Sequence, residues 1–186
     1  AIYAFYNCTG LTSIKISNYV LSIGGNAFGG CSGLTYINTN RVYQINYNAF
    51  ESCTGLKTIY IGKNVNYFNN YVFSNCTALE TIIVDPSNTK YDSRNNSNAI
   101  IETATDKLIV GTTSKIIPNS VTSIGSRAFK GGNITSVTIP NSVNNIEVDA
   151  FLDCDNLSIV IFDNTVGWYI TELPNALELK INNMNE

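Results

Sequence analysis

Residues Ala27 to Val42 read A-F-G-G-C-S-G-L-T-Y-I-N-T-N-R-V, and nearly the same residues return along the chain at a fixed spacing. The Ala-Phe pair falls at Ala4-Phe5, Ala27-Phe28, Ala49-Phe50, Ala128-Phe129 and Ala150-Phe151, with Val72-Phe73 as a variant. Within each run successive Phe residues lie 22 or 23 positions apart, a period that marks a solenoid of stacked coils. Three residues after each Phe comes Cys8, Cys31, Cys53, Cys76 or Cys154, with Gly132 once in their place. Three further on comes Leu11, Leu34, Leu56, Leu79 or Leu157.

From Leu11 the unit continues L-x-x-I-x-I to Ile16, which puts alternate side chains of a short strand on one face. The same frame gives Ile37 and Thr39, Ile59 and Ile61, Ile82 and Val84, Val137 and Ile139, Val160 and Phe162. Each unit thus contributes one strand to a parallel sheet. A second apolar pair, at Val20/Ile23, Val42/Ile45, Val65/Phe68, Val121/Ile124 and Val143/Ile146, predicts a returning extended side. The Ala-Phe-x-x-Cys turn closes the coil, with Phe filling the space between walls, and no stretch carries helical periodicity for more than about a turn.

The register breaks between Phe73 and Phe129, which stand 56 residues apart. One coil is degenerate and enlarged. Asp85-Pro86-Ser87-Asn88 reads as a turn, Tyr91 to Asn98 as a polar loop, and Ala99-Ile100-Ile101 with Leu108-Ile109-Val110 as two strands of a hairpin. Regular spacing resumes at Ile116-Ile117-Pro118-Asn119-Ser120-Val121, repeated as Ile139-Pro140-Asn141-Ser142-Val143. The domain reading is a solenoid over 1–163 with an inserted hairpin near 85–112, and a capping or linking tail over 164–186 that holds Trp168 and Pro174. The chain opens in mid-repeat at Ile2-Tyr3-Ala4-Phe5, which leads us to expect further residues upstream.

The columns A-F-x-x-C-x-x-L-x-x-I-x-I, followed by P-x-x-V-x-x-I-G and best seen at Val121 to Phe129, resemble the BspA-type leucine-rich repeat family over nearly all of residues 1–162. The resemblance implies a right-handed leucine-rich-repeat solenoid of the α/β horseshoe class, with mostly short parallel strands and little helix. It also implies a secreted or surface-anchored protein used for adhesion and protein binding. Gly132, Thr39 and Phe68 depart from the pattern and affect local packing.

The 186 residues carry 11 Lys and Arg, 14 Asp and Glu and no His, for a net charge of −3. There is no basic cluster to neutralise phosphates, so no nucleic-acid partner is expected. No run of about 18 apolar residues exists, so no membrane insertion by this segment is expected. Lack of His removes the commonest general base and metal ligand, and the Cys residues stand a coil apart, never as C-x-x-C, so neither catalysis, a metal nor a cofactor is expected. The acidic pairs Asp153/Asp155 and Glu147/Asp149 read as solvated turns.

Recognition through the sheet face remains. Counted from the inward frame, the outward positions include Lys15, Tyr36, Asn38, Tyr60 and Ile83, and these, with Tyr91 of the insertion, are the candidate partner-binding residues. Tyr offers apolar area with a polar tip, yet Thr and Tyr suit strands in any case, so a binding face and ordinary β-surface stay open as alternatives. The partner class is a host or extracellular-matrix protein, or another surface protein. The other functional reading is a structural spacer that presents a distal adhesive domain. Three further expectations concern structure. Phe28, Phe50, Phe73, Phe129 and Phe151 should form one buried stack; Tyr91 to Val110 should project and be dispensable for folding; and all five thiols should be buried and reduced, since equivalent positions point their sulfurs in parallel.

Overall fold

The alternation of inward apolar and outward polar residues becomes two walls of short strands in the computed structural model, which describes residues 1–69, 71–114 and 116–163. In chain order the first six strands are β1 (Ser22–Ile23), β2 (Tyr36–Asn38), β3 (Gln44–Ile45), β4 (Thr58–Ile61), β5 (Tyr67–Phe68) and β6 (Thr81–Val84). The even strands pair in parallel as one wall and the odd strands pair in parallel as the returning wall. Register follows the repeat: Ile37 lies beside Ile59 and Ile59 beside Ile82, all buried. In the first coil, residues 13–16 form no regular strand, and Leu11, Ile14 and Ile16 pack partly buried against the core.

Coils that repeat at strand spacing, about 4.8 Å, bring equivalent side chains face to face. Phe5, Phe28, Phe50 and Phe73 accordingly stack with centroids 5.2, 5.3 and 5.4 Å apart and ring planes within 6° of parallel. The corner that carries them accounts for its backbone donors by turns. Phe28 N–H and Gly30 N–H donate forward to Ala49 O and Glu51 O of the next coil, while Ala27, Gly29 and Cys31 N–H donate within their own coil. This alternation needs a left-handed residue on each side of Ala-Phe, supplied by Asn26 and Gly30, Asn48 and Ser52, Tyr71 and Asn75, and Asp149 and Asp153.

The cysteines have a bonding role beyond packing. Cys31, Cys53, Cys76 and Cys154 Sγ each donate to the carbonyl of the Phe one coil earlier (Phe5, Phe28, Phe50 and Phe129), all at 3.0 Å. The five thiols are free, as expected, and four are buried; Cys8, in the first coil, is exposed, which corrects the expectation for that residue. Thr39 fits an inward Ile position because its buried Oγ1 donates to Tyr60 O and accepts from Gly62 N–H.

The enlarged coil comprises β7 (Tyr91–Asp92), a 3-10 turn at Arg94–Asn96, β8 (Ile100–Glu102) and β9 (Lys107–Val110). It is followed by β10 (Ser123–Ile124), β11 (Ser136–Ile139), β12 (Asn145–Ile146) and β13 (Ile159–Phe162). The expected hairpin exists as antiparallel β8–β9, but it does not project. β9 pairs in parallel with β10, so the hairpin lies in the plane of the returning wall as part of the order β12-β10-β9-β8-β7. The reason is apolar burial: Ile100, Ile101 and Leu108 are fully enclosed. The pairing register is irregular between Ile100 and Ile101, and the two side chains belong to different hydrophobic clusters, so the hairpin is the stretch of wall where the two cores adjoin. Asn88 ties this coil to the preceding one: its buried Nδ2 donates to Gly62 O and Val65 O, and its Oδ1 accepts from the Lys90 and Tyr91 amides.

The Phe column lapses here. Gly111 N–H donates to Ala128 O, the bond Phe28 makes to Ala49, and the Phe129 ring occupies the space a side chain at Gly111 would need, while Asn75 N–H donates to Lys130 O, the bond Gly30 makes to Glu51, so the enlarged coil cuts its corner short and the Phe73 and Phe129 corners meet there. Phe129 then stacks on Phe151 at 4.9 Å. The single stack expected from sequence is therefore two stacks separated at Phe73. The tail assigned to 164–186 lies outside the described residues.

Candidate functional site

Parallel pairing places the outward residues of the β2-β4-β6 wall in two columns. One runs Asn38, Tyr60, Ile83 and the other Tyr36, Thr58, Thr81. Tyr36 and Ile83 are close to half exposed, whereas Tyr60 is held down, its OH donating to Asp85 Oδ2 at 2.7 Å. That bond raises the Tyr60 phenol above its ordinary value. The Asp85 carboxyl is lowered, first by the Ser87 backbone N–H and then by the Tyr60 hydroxyl. Asn38 is exposed, and its Oδ1 accepts from Asn40 N–H, which fixes the turn leaving the strand. Lys15 is exposed in the first coil.

Tyr91 does not belong to this face. It is 4 % exposed and packs edge-on against Phe68 at 5.0 Å, because β7 lies in the returning wall with its Tyr turned inward. Burial pushes its phenol up to about 12. Its place among the partner-binding candidates is withdrawn.

The sequence reading missed Ile116, which is 54 % exposed. Its match to Thr138 in the paired stretches I-I-P-N-S-V and T-I-P-N-S-V was the available signal. Further along, β13 presents Ile159 and Ile161, both close to half exposed and registered beside Ser136 and Thr138. A second exposed aromatic group lies along the returning side, where Leu21, Tyr43, Tyr47 and Tyr67 surround β1, β3 and β5. The V-x-x-I frame leaves these residues outward, a signal equally present in the sequence.

Beyond Lys15 and Asp85, several charges sit in pairs away from this face. Lys107 meets Glu147 at 2.6 Å, Arg94 bridges Asp92 and Asp106, and Arg127 binds Asp149 while its guanidinium covers the Tyr71 ring at 4.2 Å. The Lys107 contact holds the Glu147 carboxyl below its ordinary value. Among the described residues no three His, Cys, Asp or Glu side chains gather as a metal site would require, and no helix is long and apolar enough to cross a membrane.

The sequence pattern that defines the BspA type leucine rich repeat region matches residues 1–108 and 108–172, in six copies. Among solved structures, a leucine rich cell surface protein from Faecalibacterium prausnitzii A2-165 is similar at 29% identity and a TM-score of 0.70, over 84% of this chain and 43% of that one. The pneumococcal vaccine antigen PcpA is similar in fold at 17% identity and a TM-score of 0.60, over 76% of this chain and 37% of its own. A leucine-rich repeat protein from Bacteroides ovatus is similar in fold at 21% identity and a TM-score of 0.52, over 87% of this chain and 52% of its own. The matched region is thus about half or less of each of these three chains. No curated protein matches the sequence.

Proposed function

We propose that this chain, which belongs to the BspA type leucine-rich repeat family, is a non-catalytic protein-binding module of an extracellular, cell-surface adhesion protein. The partner class is a host or extracellular-matrix protein, or another surface protein. The observation that carries the reading is the Asn38–Tyr60–Ile83 column with Tyr36 beside it. Aromatic and apolar area there is exposed on strands whose own registration fixes it, and such pre-ordered area binds with little loss of conformational entropy. The cell-surface description of the Faecalibacterium protein supports the location, and the absence of His removes the commonest catalytic base.

The test is surface-immobilised chain against a panel of purified extracellular-matrix and epithelial surface proteins, followed by affinity of the Tyr36→Ala/Tyr60→Ala double variant for whatever binds. If these residues anchor the partner, affinity falls by about 2 kcal/mol or more with the fold intact. Unchanged affinity moves the contact to the tyrosines of the returning wall. Failure of the whole panel to bind favours the spacer reading.

A further inference from the structure

The returning wall changes character along its length. Over β1, β3 and β5, Leu21, Tyr43, Gln44, Tyr47, Asn66 and Tyr67 are exposed, and none of residues 19–25, 43–47 and 66–69 is charged. Arg41 and Lys63 stand in the turns that lead into the wall, and farther along it Lys90 faces Glu102 at 3.8 Å. Register arranges the neutral stretch as a checkerboard. Gln44 lies beside Tyr67, and Asn66 N–H donates to Tyr43 O, so Tyr43 and Gln44 on one coil meet Asn66 and Tyr67 on the next, with ring and amide exchanged. Two rings are held in place: Tyr67 OH accepts from Asn69 Nδ2 at 3.3 Å, and the hydroxyl end of Tyr47 lies where a side chain at Gly25 would stand. Asn46 Nδ2 donates to Ser22 Oγ and Ile23 O at 3.0 and 2.8 Å, which leaves Oδ1 as its acceptor.

A dry protein surface laid on this pattern would leave the amides between the rings unpaired, which is costly, and protein hot spots form at apolar centres cleared of water. Sugar hydroxyls both donate and accept, as amides do, and the weakly positive C–H face of a pyranose suits the negative face of a Tyr ring. A sugar unit in an extended chain is about as long as the step between coils, about 4.8 Å. The lack of charge offers an anionic sugar no partner. We propose that the β1-β3-β5 wall binds a neutral polysaccharide laid along the coils, with pyranose faces on Tyr43 and Tyr67 and hydroxyls on Gln44, Asn46 and Asn66. The inference stands on this wall alone and does not depend on the partner of the β2-β4-β6 wall.

The whole chain is run in affinity gels containing a soluble β-glucan, an arabinoxylan or a galactomannan, with polygalacturonate as the anionic control. At least one neutral polymer should retard it saturably, and polygalacturonate should not. Tyr43→Ala/Tyr67→Ala, with the fold verified by circular dichroism, should weaken that binding roughly tenfold for two lost ring contacts. Gln44→Ala should weaken it roughly fivefold for one hydrogen bond. Tyr36→Ala/Tyr60→Ala, on the opposite wall, should leave it unchanged. Migration unaffected by all three neutral polymers, equal retardation by polygalacturonate, or wild-type affinity in the Tyr43→Ala/Tyr67→Ala variant would overturn the proposal.

Discussion

The coils before Val84 and those after the enlarged coil share one frame, yet they are joined differently. In the earlier coils, interlocking rests on neutral columns: stacked Phe rings, thiols on Phe carbonyls and inward Ile beside Ile. Among the described residues every ion pair involves positions from Lys90 onward. The cause is the repeat itself. When equivalent positions carry the same residue they meet as neighbours at about 5 Å, and like charges there repel. A faithful repeat therefore favours Phe, Cys, Ile and Asn. Charge enters the stack where equivalent positions differ, as where Arg127 meets Asp149, or where a side chain crosses the coil between, as Lys107 passes over Gly125 to reach Glu147.

The sharpest way to break this comparison is to delete residues 100–110. The chain then loses the stretch of wall with the buried Ile100, Ile101 and Leu108 and exposes both cores, so the cooperative urea transition should disappear. A preserved sigmoidal melt by circular dichroism would show that the two sets of coils can be joined without it.

Next in size is Phe50→Ala, which empties the middle of the first stack where the ring touches Phe28 and Phe73. The expected loss is about 3–5 kcal/mol by urea denaturation. Phe151→Ala, at a partly buried ring with one stacked neighbour, should cost less than half as much.

The thiol column can be read through alkaline pH. Burial, the largest cause, pushes the Cys53 thiol from 9.0 up to about 12. An unfolded thiol sheds its proton near 9 while the folded one holds it, so Cys53 contributes its full stability below pH 9 and loses it as pH rises toward 12. Cys53→Ser keeps a donor for Phe28 O but does not ionise in this range. The stability of wild type relative to the variant should therefore fall by about 2 kcal/mol by the middle of that window. A constant difference would mean that the folded thiol ionises as freely as the unfolded one.

The smallest expected effect tests the rule about unlike neighbours. Asp149→Asn removes the anion beside Arg127 while keeping a residue that tolerates the positive φ of this corner, and should cost about 0.5–1 kcal/mol, less in high salt. Equal stability at low salt would indicate that the pair is screened already.

The coil frame was legible because every unit states it again: Ile59 is inward for the same reason as Ile37 and Ile82. Asn26 and Asn48 also announced the left-handed corner, since Asn tolerates positive φ, but Tyr71 and Arg127 at the same point have φ of 69° and 56° and carry no such mark. The enlarged coil was half legible. Its two strands follow from apolar runs, whereas their inclusion in the returning wall depends on where neighbouring coils leave an open edge, which no local pattern records. Tyr91 was misplaced for that reason, and Ile116 was missed because, although regular spacing resumes there, no Leu-x-x-Ile frame precedes it from which outward positions could be counted. The break of the Phe column between Phe73 and Phe129 was invisible, since one glycine among 13 does not announce that the chain will cut a corner short.

The forward direction of the corner bonds has a consequence for how the chain emerges from a ribosome. Phe28 N–H and Gly30 N–H find their acceptors in Ala49 and Glu51, and Phe28 O receives its thiol from Cys53, so each corner is completed by residues translated one period later. Synthesis runs from the N-terminus, and the newest corner on a nascent chain always carries amides with no acceptor yet made. Closure should then advance in steps of 22 or 23 codons, and force measured on chains stalled at successive lengths should rise and relax with that same interval.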